Sequence, residues 1–196
     1  MIGKIVGTGS YLPELVWDNY KLTEWLDTSD EWIRERTGIG QRHISKEIGA
    51  CGMAMEAAKR AMEDAKKVGF TAEDLGAIFV CSVTPDICVP PIACEIQKEL
   101  GAVNAFCYDI NAACSGFVFA YNMAVSYMES GLIRSALIIG SEQLSRMVDW
   151  NDRGSSILFG DGAGAVVVTV SGEKGAAVMH SDGASGDALQ CTTGGK

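Results

Sequence analysis

Cys114 is the residue of this sequence best placed for covalent chemistry. It follows the run AFCYD and the small-residue link INAA, and it opens an uncharged segment that continues to Met128. A cysteine at a helix start meets unpaired amide N–H groups and the positive end of the helix dipole, both of which favour a thiolate. Ala112, Ala113, Ser115 and Gly116 beside it are small and leave room for a substrate carbonyl. The alternative is a buried structural cysteine, because Cys81 and Cys107 lie in equally apolar runs. A nucleophilic thiol also needs a base or a charge-stabilising partner. Only two histidines are present: His43, read as a surface or salt-linked residue, and His180 in HSDG, read as bonded to Asp182. Spacing places neither beside Cys114, so a cysteine-protease pairing lacks support.

A second constellation suits nucleotide binding. Trp32 and Arg36 are four residues apart and share a helix face, with Arg153 of NDRG joining them only through folding. A flat indole and two guanidinium groups fit a base and its phosphates, although packing and solvation are the plainer role. FGDGAGA could cradle an anion, but turn formation and close strand packing explain it better, and Asp161 is expected to organise its own turn. GTGSYLP has Leu12 where a dinucleotide fingerprint needs its third glycine. There is no Walker lysine, GxSxG or HExxH. Cys81, Cys88 and Cys94 lack a CxxC pair and a nearby histidine, so no metal site is expected.

The elements that must position these residues follow from periodicity. Lys4–Gly7 reads as a first strand ended by the glycines of GTGS. Leu22–Leu26 and Asp30–Arg36 read as short helices, the second capped by Ser29. Ala50 to Ala65 repeats small apolar residues at three- and four-residue steps, a helix whose alanine stripe must approach a sheet or helix closely. Then come a strand at Ala77–Ser82, a turn-rich loop at Pro85–Pro91, a helix to Leu100 and a strand at Ala105–Asp109. The uncharged helix Cys114–Ser130 follows, then a strand at Ser135–Gly140, apolar runs at Ser156–Phe159 and Gly164–Val170 joined by the FGDGAG turn, and a further strand from Ala176. TTGGK at 192–196 has loop composition. Helices alternating with continuously apolar strands indicate a layered α/β fold with helices on both sheet faces. A helix without charge should have no solvent face, which calls for a central helical layer.

Composition bounds the rest. The chain has 196 residues, 47% of them hydrophobic, enough to offset the entropy of ordering one core, so disorder is excluded. Sixteen Lys+Arg against 25 Asp+Glu give a net charge of −9, which argues against nucleic acid or an anionic membrane surface as partner. Seven irregularly spaced cysteines, together with a start lacking a basic and apolar leader, point to a reducing cytoplasm. The uncharged segment carries Asn111, Ser115, Asn122 and Ser126 and reads as a buried helix, with no membrane span.

These residues together resemble beta-ketoacyl-acyl carrier protein synthase III, the initiating condensing enzyme of bacterial fatty-acid synthesis. The matching stretches are KIVGTGSYLPE, LDTSDEWIRERTGIGQRHI, PPIACEIQKELG, DINAACSGF, GSEQLS, NDRGSSILFGDGAGAVVV and HSDG. The resemblance implies a thiolase-like α/β/α/β/α fold of two similar halves. Residues 1–170 would be the N-terminal half and 171–196 a segment leading toward the second. It implies Cys114 as the nucleophile that takes an acyl group from acyl-coenzyme A, its N–H forming half of an oxyanion hole. Trp32 and Arg153 would sandwich the adenine, with Thr28 and Arg36 alongside, and Val89 would reach a partner's acyl pocket in a homodimer. Malonyl-acyl carrier protein would be the second substrate, with no tightly bound cofactor. The His and Asn that complete the family's site belong to its second half, and neither His43 nor His180 matches them. Other readings are a related coenzyme A-dependent condensing enzyme and a non-catalytic fragment that binds acyl-coenzyme A or a partner chain.

Overall fold

The computed structural model describes residues 2–191. The loop expected at 192–196 lies outside them. In chain order the elements are β1 (Gly3–Tyr11), β2 (Val16–Asp18), α1 (Asn19–Leu22), α2 (Asp30–Thr37), β3 (Gln41–His43), α3 (Ala50–Lys66), β4 (Ala77–Cys81) and α4 (Ile92–Leu100). Then follow β5 (Phe106–Ile110), α5 (Gly116–Glu129), β6 (Ser135–Gln143), α6 (Arg153–Ser156) and β7 (Asp161–Val170). They fall into two compact units. The first holds the residues up to Leu12, Lys46–Glu142 and Gly162–Ala176; the second holds Pro13–Ser45, Gln143–Asp161 and the chain from Ala177.

The first unit is a five-stranded mixed sheet in the order β1-β7-β6-β4-β5, with β4 parallel to both β5 and β6 and β1 antiparallel to β7. Alternation along the central strands builds two cores. Ile78, Val80, Leu137, Ile139, Ala165 and Val167 pack with the alanine stripe of α3 and with Ile92 and Ile96 of α4. Ala77, Phe79, Cys81, Ala136, Ile138 and Val168 point the other way, onto Ala120, Ala124 and Met128 of α5. Helices thus cover both faces, as the apolar strands predict.

Three sequence expectations change here. The glycines of GTGS do not end β1, which runs on to Tyr11. They let α3 lie against the strand: a Cβ at Gly7 would sit 2.4 Å from the Ala61 carbonyl oxygen, and one at Gly9 2.2 Å from that of Ala57. The alanine stripe and the two glycines are halves of one close contact. The FGDGAG segment is not a turn either, because β7 begins at Asp161 and carries DGAG within it. No strand forms at Ala176–His180, where the chain is irregular and exposed.

The second unit is built around the two-stranded β2–β3 pair, α1, α2 and α6. Leu22, Leu26, Ile33 and Ile157 form its apolar core, with Trp17, Trp32 and Trp150 against it. Trp17 meets Trp25 and Trp150 edge-on, with ring centroids 5.6 and 5.0 Å apart. α1 covers four residues and precedes the expected Leu22–Leu26 helix, whose remaining residues are turns. α2 is capped by Ser29, whose Oγ accepts from the Trp32 amide at 3.1 Å.

Candidate active site

In the first unit, Cys114 lies where parallel strand β5 hands over to α5. Parallel sheets gather their binding sites at this carboxyl end of the strands. The cysteine is not in the helix itself. Ala113–Ser115 form a single 3-10 turn, and α5 begins at Gly116. Ala113 has φ +45°, a left-handed conformation that costs a non-glycine residue about 1 kcal/mol and aims the next side chain sharply. Cys114 is exposed. Gly116 brings the helix start onto β4, since a Cβ there would sit 2.9 Å from Cβ of Cys81.

The surrounding loops are tied by carboxylates. Asp109, in β5, accepts from the Ile92 and Ala93 amides at 2.8 and 3.0 Å and holds the start of α4 to the strand. Glu142 accepts from the Val83 amide at 2.9 Å and from Thr84 Oγ1 at 2.6 Å, fixing the chain after β4. Neither role was visible in the sequence, because each partner lies in a different element. Val89 is 83% exposed in the following loop. Burial pushes the Cys81 thiol up to about 11 and the Cys107 thiol up to about 12, so neither is an available thiolate near neutral pH.

The second unit brings Trp32, Arg36 and Arg153 together. The Arg153 guanidinium carbon lies 4.7 Å from the centroid of the Trp32 ring and that of Arg36 lies 4.9 Å away. Asp152 caps α6 through the Gly154 and Ser155 amides and presents Arg153, whose Nη1 also donates to the Asp27 carbonyl at 2.9 Å. The hydrogen bond from Ser155 holds the Asp152 carboxyl below the usual carboxylate range. Thr28 Oγ1 is buried without a hydrogen-bond partner. Two stacking contacts of about 3.5 Å each exceed the present Trp32–Arg153 spacing. A base entering between them must therefore displace Arg153 outward.

Asp161 departs from its expected role. It is buried, and its carboxylate accepts from the Ser45 amide at 2.6 Å, the Ser145 amide at 2.9 Å and Ser145 Oγ at 2.6 Å. It joins three segments and does not organise a turn of its own. His43 Nδ1 lies 2.6 Å from the Pro13 carbonyl oxygen. Asp182 bonds Ala184 and Ser185. Among the described residues no group of three or more His, Cys, Asp or Glu side chains could hold a metal ion.

Comparison with known proteins decides the family. The family model described as 3-oxoacyl-[acyl-carrier-protein (ACP)] synthase III matches residues 108–186. A beta-ketoacyl-[acyl-carrier-protein] synthase III of Clostridium botulinum (strain 657 / Type Ba4) is 48% identical over 189 residues, covering 95% of this chain and 57% of the relative. These matches support reading the chain as a fragment of a beta-ketoacyl-acyl carrier protein synthase III. A solved synthase III from Aquifex aeolicus VF5 is 48% identical and superposes with a TM-score of 0.83, over 88% of this chain and 55% of that one. The priming beta-ketosynthase of the R1128 polyketide biosynthetic pathway is 37% identical, with a TM-score of 0.81, over 87% of this chain and 50% of that one. The chain thus spans a little over half the length of the synthase III relatives it matches. Its fold is the thiolase-like layered α/β type of these synthases.

Proposed function

We propose that this chain is the acyl-accepting part of a synthase III. Such an enzyme condenses acyl-coenzyme A, acetyl or a similar primer, with malonyl-acyl carrier protein to start fatty-acid synthesis. The observation that carries the reading is an exposed Cys114 in a tight turn at the carboxyl end of β5, presented by the left-handed Ala113. Attack of its thiolate on the thioester carbonyl gives a tetrahedral oxyanion. Collapse of that species forms the Cys114 thioester and releases the coenzyme A thiolate. Decarboxylation of the malonyl group then generates the enolate that attacks this thioester and frees Cys114. Trp32, Arg153, Arg36 and Thr28 would hold the nucleotide, a role favoured by the two guanidinium groups against one indole ring and by the unpartnered Thr28 hydroxyl.

Val89 would line the acyl pocket of a partner copy. Its exposure, and the outer edge of β5, which pairs with no further strand among the described residues, favour a homodimer. Residues 1–170 would act as the nucleophile-bearing half, with 171–196 leading onward. Seven irregularly spaced cysteines favour a cytoplasmic setting, and no helix among the described residues is long and apolar enough to cross a membrane. A second reading is a coenzyme A-primed ketosynthase outside fatty-acid synthesis, favoured by the likeness to the R1128 priming enzyme.

Intact-mass spectrometry after incubation with acetyl-coenzyme A tests the proposal. One acetyl group is expected on Cys114 and none on Cys114→Ala. Trp32→Ala and Arg153→Ala are expected to need about tenfold more coenzyme A ester for half-acylation, the effect of losing about 1.4 kcal/mol of stacking and charge contact. Acetylation that persists in Cys114→Ala would overturn the assignment.

A further inference from the structure

Helix α4 and strand β5 carry two thiols that acyl transfer does not use. Cys94 lies one helical turn before Gln97, whose Nε2 donates to the Ala105 carbonyl at 2.7 Å. Cys107 Sγ approaches the same carbonyl oxygen at 3.8 Å. The face of α4 bearing Cys94 and Gln97 therefore lies on the Ala105–Asp109 segment, with Gln97 at Ala105 and the first amides of the helix at Asp109, which sets Cys94 opposite Cys107 between them. Asp109 pins the same two elements together by accepting from the first amides of α4. Both thiols are only partly buried, so a small oxidant reaches them.

We propose that Cys94 and Cys107 are a dithiol modification site that a hydroperoxide closes into a disulfide tying α4 to β5. The Cys94 thiolate attacks a peroxide oxygen and the O–O bond breaks. This leaves Cys94 as a sulfenic acid and, with hydrogen peroxide as oxidant, releases hydroxide, which leaves as one water with the proton that the Cys94 thiol gave up on ionising. The Cys107 sulfur then attacks the Cys94 sulfur, and the S–O bond breaks. The departing hydroxide takes the Cys107 proton as a second water. Two thiols are oxidised, and one peroxide is reduced. Burial raises Cys107 to about 12, which makes Cys94 the first to react and Cys107 the resolving thiol. The hydrogen bonds that hold α4 on β5 keep the two cysteines on facing elements, which offsets the small thiolate fraction of Cys107. The link would stiffen the strand that leads directly to Cys114.

The test uses the reduced 196-residue chain, treated with hydrogen peroxide, alkylated and digested without reduction. Trypsin cuts at Lys98, between the two cysteines. Tandem mass spectrometry should find peptides joined through Cys94 and Cys107, two hydrogens lighter than their sum. The pair should disappear with dithiothreitol and be missing from both Cys94→Ser and Cys107→Ser. Alkylated Cys94 and Cys107 alongside oxidised Cys114 would overturn the proposal. So would a sulfinic acid at Cys94 with Cys107 still free. The mapping on the unsubstituted chain decides the matter even where a variant fails to fold.

Discussion

At the scale of single residues, position along the backbone separates thiols of one chemical type into different kinds. Cys81 ends strand β4, pressed by the start of α5, and burial raises its thiol to about 11; Cys107 reaches about 12 for the same reason. Thiolate is the alkylating form. At pH 8 a group titrating near 11 is about one part in a thousand ionised. Iodoacetamide at that pH is therefore expected to modify the exposed Cys114, Cys88 and Cys191 at least tenfold faster than Cys81, as read by peptide mapping over time. The Cys81 rate should rise about tenfold per pH unit up to its raised titration point. Comparable labelling of Cys81 and Cys88 at pH 8 would mean that the β4–α5 contact opens readily. The identity of Cys114 as a candidate was legible in the sequence from the strand, the small-residue link and the uncharged run. The left-handed Ala113 was not, because an alanine gives no local signal for a positive φ and only the packed junction imposes it.

At the scale of elements, the packing of α3 on β1 shows how one pattern is read correctly from one side and wrongly from the other. The alanine stripe predicts close approach, and the structure has it. The glycines that receive the stripe read instead as a strand end, since glycine ends strands more often than it crosses a helix within one. Gly9 tests the point. A methyl group there would overlap the Ala57 carbonyl oxygen and the Ala61 amide nitrogen, at 2.2 and 2.4 Å, and backbone atoms cannot step aside as a side chain can. Gly9→Ala is expected to lower stability by about 2–3 kcal/mol, the range for overpacked interiors, read as a lower urea midpoint. Gly164→Ala, on the neighbouring strand β7 with open space where its Cβ would go, should change the midpoint little. Equal midpoints for the two variants would show that α3 is not held as tightly as the structure has it. Asp161 follows the same logic. Its flanking glycines suggested a local turn, while its actual partners are Ser45 and Ser145, which no local pattern connects to it.

At the scale of the whole molecule, α5 decides what this chain does alone. Its lack of charge as far as Met128 predicts a helix covered on every side, yet Phe117 and Val118 are 39% and 56% exposed while Ala120, Ala124 and Met128 are buried on the sheet. The uncovered face agrees with a layered fold of which this chain supplies the first half, and it leaves apolar surface for the other half to cover. The same division applies to the proposed chemistry. Cys114 and its own N–H lie within residues 1–196, whereas the resemblance assigns the second oxyanion donor and the His and Asn that act on the malonyl group to the other half. Loss of one oxyanion donor typically costs about a hundred- to a thousandfold, and loss of the decarboxylating pair removes the enolate altogether. The purified chain is therefore expected to form the Cys114 thioester slowly but to make no measurable 3-ketoacyl-acyl carrier protein from acetyl-coenzyme A and malonyl-acyl carrier protein. Adding the separately expressed remainder of a synthase III should restore product and, in the same titration, quench a hydrophobic dye bound at Phe117 and Val118. Near-normal product from the chain alone would mean that its own residues supply the decarboxylating groups, and the division of labour drawn from the family would fall.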